Sequence, residues 1–409
     1  MNKIRKILIS ATLVIFLFLI VANVSAADLV VNKNTTHSDI DNWMKNNSTV
    51  KGNNLIFNTS KYDLTDTINV SKSVNIKSNV KTQINFNKNK NMFNVSASGI
   101  TFSGLTLNHN GKGNFNLAAT VIFSNSSKSV INFKNMNFNL NNKYLIAIGI
   151  ISWKGNVTNS VFKSNDVDNI MIAAVNWTGN VYKSTLSLFK FNSGIGVGKW
   201  FGNFSNSKIF LGNRGLGIIG ANWTGNLLNS NITSNKVAVG VFINKLNGKI
   251  SNVIINIKGL NSYGLTLNSS SKGSISKSTI FVKKGQAVLI PKSVKISKVK
   301  VRSSKSWEDI AIIGPRVYAQ RYVLYTNSKS LLYKFRVYNY GESKSKVSYL
   351  TLKIGKYKKT VKIKALKPGK PAIVKIIILK SYEKSKKTVY TTYTNAAGVK
   401  TNSKPWIIK

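Results

Sequence analysis

The chain has no cysteine, five prolines, two histidines and 11 acidic residues, set against 60 lysines and arginines in 409 residues. Each shortage excludes something. Without thiols there are no disulfides and no thiolate metal sites, so burial and hydrogen bonding alone must hold the fold. The acids are absent altogether from Asn169 to Trp307. Glycoside hydrolysis calls for a pair of carboxylates, and calcium-assisted lyase chemistry for several. The nearest acids are Asp166 and Asp168 in KSNDVDN. On a strand, residues i and i+2 share a face, which makes the two a candidate cation site or acid–base pair. As part of an Asp/Asn-rich loop they would simply shape a turn. Of the histidines, His37 reads as a helix flank and His109 as part of the loop NHNGKG. No catalytic residue is assigned, no metal or cofactor is expected, and the chain is read as not an enzyme.

Long apolar runs are also scarce. One stretch, Ile7 to Ala22, follows Lys3, Arg5 and Lys6 and precedes the small residues Val24-Ser25-Ala26. That is the layout of a secretory signal peptide, assigned here to residues 1–26. No later run is apolar enough for a bilayer, so the expected destination is outside the cell, secreted or at the surface. The formal net charge is +49, and loss of Lys3, Arg5 and Lys6 with the leader leaves +46. So strong a charge attracts polyanions. Nucleic acid does not suit an exported protein that lacks an RNA- or DNA-binding motif. A cell-wall polymer, a glycan or another anionic surface does. Thirteen Asn-x-Ser/Thr sequons after the leader are compatible with glycosylation.

What the chain does have is a repeat. WKGNVTNSVF (153–162), WTGNVYKSTL (177–186), WFGNFSNSKI (200–209) and WTGNLLNSNI (223–232) recur, then decay to LNGKISNVII (246–255) and SKGSISKSTI (271–280). A fixed period in the twenties is the mark of stacked units that cannot fold singly. Val157, Val181, Phe204, Leu227, Ile250 and Ile275 share one apolar position. Five residues on, Phe162, Leu186, Ile209, Ile232, Ile255 and Ile280 share another. The apolar runs are short, β-branched and broken by glycine, which favours strands over helices. Two or three strands per turn describe a right-handed parallel β-helix, read from residue 50 to 305.

Trp153, Trp177, Trp200 and Trp223 recur once per coil. Facing solvent, they would offer rings for stacking on sugars; packed on one another, they would stiffen a turn. Asn156, Asn180, Asn203 and Asn226 are read as a structural amide ladder at the turn, tolerant of left-handed backbone. Residues 27–49 are assigned to an N-terminal cap, with a brief helix over HSDIDNWMKN (37–46) begun by Ser38 and Asp41 as a capping box and lined on one face by Ile40, Trp43 and Met44. After residue 305 the period disappears and strict alternation begins, in YKFRVYNYGE, VSYLTLKIGKY, TVKIKALKPGK, AIVKIII and TVYTTYTN. These read as antiparallel strands of a small immunoglobulin-like sandwich over 306–409, turning at Gly341, Gly355 and Pro368-Gly369.

The stretch LIFNTSKYDLTDTINVSKSVNIKS (55–78) resembles the cap of pectin-lyase-like β-helices, with Asn58 to Ser60 where a glycine is usual. The strand-turn at 337–343 with Leu-Lys-Pro-Gly at 366–369 resembles cell-adhesion-related modules of archaeal and bacterial surface proteins. Leader, capped β-helix and sandwich together resemble the adhesin-like surface proteins of methanogenic archaea. That resemblance implies adhesion or wall attachment without catalysis. Two rivals remain open: a polysaccharide lyase or hydrolase, degenerate or active, of the pectin-lyase-like group, and a purely structural envelope protein.

Overall fold

The computed structural model describes residues 28–46, 53–114, 118–268, 270–304, 309–313, 317–326, 329–339, 344–345, 347–354, 357–367, 370–379, 388–394, 400–402 and 406–407. The leader assigned to 1–26 lies outside these residues, as do Gly341, Gly355 and Pro368-Gly369. The chain forms two compact units, one running to Ala311 except for 290–292, the other holding those three residues and 312–409.

The first unit is an all-β parallel solenoid of the right-handed type, with about twelve turns and, among the described residues, one helix. Its strands pair with their counterparts one coil on. Trp153 aligns with Trp177, Trp177 with Trp200, Trp200 with Trp223, and Trp223 with Leu246. The period read from sequence is therefore the coil itself. Both predicted apolar columns point inward, from Val157 to Ile275 and from Phe162 to Ile280, all at 1% exposure or less. Earlier coils stack aromatic rings in the same shaft, as Phe102 on Phe133 and Phe138 on Phe162. Pairing begins sooner than expected, since Leu29–Val31 already pairs with Asn53–Phe57.

Helix α1 spans His37–Asn46, as predicted. Its capping box is not Ser38 with Asp41. Thr36 occupies the N-cap: its hydroxyl accepts from the Asp39 N–H at 3.2 Å, while the Asp39 carboxylate accepts from the Thr36 N–H at 2.7 Å. Those hydrogen bonds from Thr36 hold the Asp39 carboxyl below its ordinary pKa. Ile40 and Met44 are buried, and the Lys72 ammonium donates to the Trp43 carbonyl at 2.8 Å and sits 3.5 Å from the centre of the Trp43 ring. Burial pushes that ammonium down to about 8, against the carbonyl and the ring, which both favour its charged form.

The second unit contains antiparallel strands. Val317–Thr326, Ser330–Asn339 and Ala372–Leu379 make one sheet, and Ser348–Ile354 pairs with Tyr357–Ile363 and Thr388–Thr394 in another. Leu331, Tyr333, Phe335 and Val337 of the first share a core with Leu350, Leu352 and Ile363 of the second.

Candidate functional site

Three features of the solenoid bear on function: its periodic columns, one corner around Asp168, and the cationic last coils.

The tryptophans face inward. Trp153, Trp177, Trp200 and Trp223 are 1–2% exposed, with successive ring centres 4.4, 4.7 and 4.5 Å apart and planes within 5°. Each indole N–H donates to a carbonyl of the preceding coil: Ile131, Gly155, Gly179 and Gly202, at 2.8–3.0 Å. Rings stacked on their neighbours and bonded at the edge have no face left for a sugar. The solvent-facing arrangement that sugar stacking requires is replaced by packing. The adjacent glycines make it possible, because a Cβ on Gly179 would lie 1.8 Å from the Gly155 oxygen.

The asparagine ladder forms as read. The side-chain nitrogens of Asn180, Asn203 and Asn226 donate to the amide oxygens of Asn156, Asn180 and Asn203 at 2.8–3.0 Å. The same oxygens accept the backbone N–H of the next asparagine, which rivets adjacent turns twice. Left-handed backbone falls elsewhere, three residues along, at Asn135, Asn159, Lys183, Asn206, Asn229, Asn252, Lys277 and Lys298, with φ from 47° to 54°. Two further ladders had no regular spacing to betray them: Asp63–Asn85–Asn108–Asn139 and Asn87–Asn110–Asn141–Asn165. Within the first, the Asn85 amide holds the Asp63 carboxyl below its ordinary pKa, with Lys61 adding to the effect.

His109 is not in a loop. It ends the strand Thr106–His109, fully buried, edge-on to Phe86, with Nε2 2.9 Å from the Lys90 carbonyl oxygen. Burial lowers its pKa, as expected for a neutral imidazole serving as core.

Asp166 and Asp168 lie in a corner between coils rather than side by side on a strand. Asp166 bends back on itself, its carboxylate accepting the Val167 N–H at 2.7 Å. Its backbone carbonyl accepts from Ser164 Oγ, Asn169 and Asn192. Asn169, fully buried, also binds the Leu145 N–H through its amide oxygen at 2.7 Å. This knot fixes the corner rigidly. Asp168 has φ of 58° and stands in register with Tyr144, Phe191 and Arg214, whose φ values are 57° to 59°. A cleft of about 350 Å³ opens here, lined by Asn114, Tyr144, Asp168, Phe191 and Ser193 among others. Among the described residues, no three His, Cys, Asp or Glu side chains converge as a metal site.

The third feature lies in the last coils. Lys277 and Lys298 stack in successive coils at the left-handed position, and Lys300 and Arg302 align with Thr279 and Phe281 beside them. Lys249 and Lys295 share the column that continues the asparagine ladder. All six are exposed, and among the described residues none forms an ion pair. The charge is plain in the amino-acid sequence, but its columns follow only once the register is known.

No family model matches the chain, and no curated protein matches it. Among the described residues no helix is long and apolar enough to cross a membrane.

Proposed function

We propose that this protein works outside the cell as a non-enzymatic, adhesin-like solenoid that holds an anionic polymer, such as a cell-wall polymer or acidic glycan, on its final coils. The observation that carries this reading is the column Lys277–Lys298, with Lys249, Lys295, Lys300 and Arg302 around it and no acid between Asn169 and Trp307. Asparagine fills the left-handed position in five coils and adopts that backbone readily; lysine does so at a cost. Stacked lysines add mutual repulsion to that cost, which a polyanion would relieve. The leader read at 1–26 and the adhesin-like resemblance support an exterior location. The immunoglobulin-like reading of residues 306–409 belongs to the same proposal.

Co-sedimentation of the mature protein with polygalacturonate tests it. Binding should weaken steeply between 50 mM and 1 M NaCl, where screening shortens to about 3 Å. The double variant Lys277→Asn, Lys298→Asn should bind at least fivefold more weakly, with a shallower salt dependence. Equal binding by the variant and the wild type would reject the site. A purely structural envelope role is the second reading, favoured by the tryptophan stack and three amide ladders; self-assembly without polymer binding would establish it. The rival lyase or hydrolase reading rests on fold resemblance, and release of reducing sugar, lost on Asp166→Ala and Asp168→Ala, would restore it.

A further inference from the structure

The strands that lead into the tryptophans are apolar on both faces. LIAIGII (145–151), NIMIAAV (169–175), NSGIGVG (192–198), GLGIIGA (215–221), AVGVFIN (238–244) and NSYGLTL (261–267) hold no charged residue, in a chain of which 17% is charged. Parallel strands covered on both sides read as such unbroken runs, whereas a sheet with one wet face alternates. The shaft covers one side: Ile148, Ile172, Ile195, Ile218 and Val241 lie in it, 1% exposed or less. The column Gly149–Ala173–Gly196–Ile219–Phe242 is half-buried and turns outward, beside Ile146–Ile170–Ser193–Leu216–Val239. On its other flank Ile151 and Val175 are 44% and 55% exposed, and a Cβ placed on Gly196 would meet nothing within 4 Å. The composition is that of a covered sheet, yet among the described residues the outer face is open.

The strip changes character halfway along, and that change points to its occupant. Its first three coils are hollow at the centre, with Gly149, Ala173 and Gly196; the next two are filled, by Ile219 and Phe242. Consider a two-fold axis parallel to the strands, lying on the strip between the coils of Gly196 and Ile219. It reverses the order of coils in a second copy and keeps each column over itself. Ile219 of each copy then sits on Gly196 of the other, and Phe242 on Ala173. Ridge meets hollow on both sides of the axis, which is the self-complementarity an isologous pair requires. The rim agrees. In the column Asn176–Lys199–Asn222–Lys245 the same axis brings Lys199 to Asn222 and Lys245 to Asn176, so no lysine of that column faces a lysine. Six coils at about 4.8 Å, each seven residues wide at about 3.3 Å, offer on the order of 600 Å² per copy. Twice that reaches the lower bound of a stable interface, about 1,200 Å², which places the pair at the weak end of the range.

We propose that two copies of this chain pair through the strip, coil order reversed, into a closed two-fold dimer. The strip is uncharged and lies on other columns than Lys277 and Lys298, so the dimer does not rest on the polymer reading and either can fail alone. Sedimentation velocity of the mature protein from 1 to 200 µM tests it, in 0.5 M NaCl to mute the repulsion between two cationic copies. The wild type should pass from monomer to dimer and stop there. Gly196→Ile adds a β-branched side chain where the monomer has open space. Its melt should therefore hold while the dimer weakens at least tenfold. Adding Ile219→Ala moves the hollow to the neighbouring coil and should recover most of that loss. Lys277→Asn with Lys298→Asn should dimerise as the wild type does. A wild type still monomeric at 200 µM overturns the proposal. So does a dimer that Gly196→Ile leaves unchanged, or assembly that grows beyond two copies.

Discussion

At the residue scale, two kinds of position carry the architecture, and they respond oppositely to substitution. The glycines beside the tryptophans admit no side chain: a Cβ on Gly202 would fall 1.8 Å from the Gly179 oxygen, backbone that cannot step aside. Gly202→Ala should therefore destabilise the solenoid by about 3 kcal/mol or more, read as a lower urea midpoint. Lys183 is the reverse case. It holds φ of 48° in a column whose neighbours Asn159 and Asn206 suit that backbone. Lys183→Asn should raise stability by up to about 1 kcal/mol and shift the urea midpoint upward. A loss of stability in that variant would show that the lysine has a partner the left-handed column does not reveal.

At the element scale, the N-terminal cap gives a pH-dependent prediction. The Lys72 ammonium is lowered from 10.5 to about 8 by burial. Between those values the unfolded chain still holds a proton that the folded chain has released, so the cap gains stability as pH rises through this window. Below pH 8 both states are protonated and the effect vanishes. Amide exchange of Ile40 to Met44, corrected for intrinsic rates, should slow from pH 7.5 to pH 9.5 in the wild type and not in Lys72→Met. The tryptophan column gives another. Trp177→Phe keeps the stack but removes the N–H that donates to Gly155 at 3.0 Å, which should cost about 1–3 kcal/mol in the urea melt. The elements also show where sequence reading stops. The columns from Val157 and Phe162 were legible because one coil repeats one apolar pattern. The asparagine ladder of Asn156 to Asn226 was legible for the same reason. The ladder from Asp63 to Asn139 was not, because its coils differ in length: Asn85 to Asn108 spans 23 residues and Asn108 to Asn139 spans 31. The inward turn of the tryptophans was likewise hidden, since alternation around a glycine corner does not say which side is the shaft. The Asp168 cleft depends on residues from several coils that share no motif.

At the scale of the whole molecule, charge and stacking oppose each other. A net charge of +49 pushes the chain apart, with eleven acids to offset it. Raising NaCl from 50 mM to 1 M should therefore raise the melting temperature, an effect a polyanion should reproduce at far lower concentration; a melting temperature that falls with salt would count against uncompensated repulsion. Against that repulsion stand the shared hydrogen bonds of about twelve turns and the aliphatic and aromatic shaft they enclose. The central claim is that each repeat lies directly over the one before it. The absence of native cysteine makes this testable without background. Thr178 and Phe201 are register partners in adjacent coils, both exposed, and neighbouring strands place their Cα atoms at a separation that a disulfide can bridge. Thr178→Cys with Phe201→Cys should oxidise nearly completely on mild treatment, while Thr178→Cys with Ser205→Cys, four residues out of register, should stay reduced. Equal oxidation of the two pairs, or bridging of the shifted pair alone, would contradict the stacked solenoid.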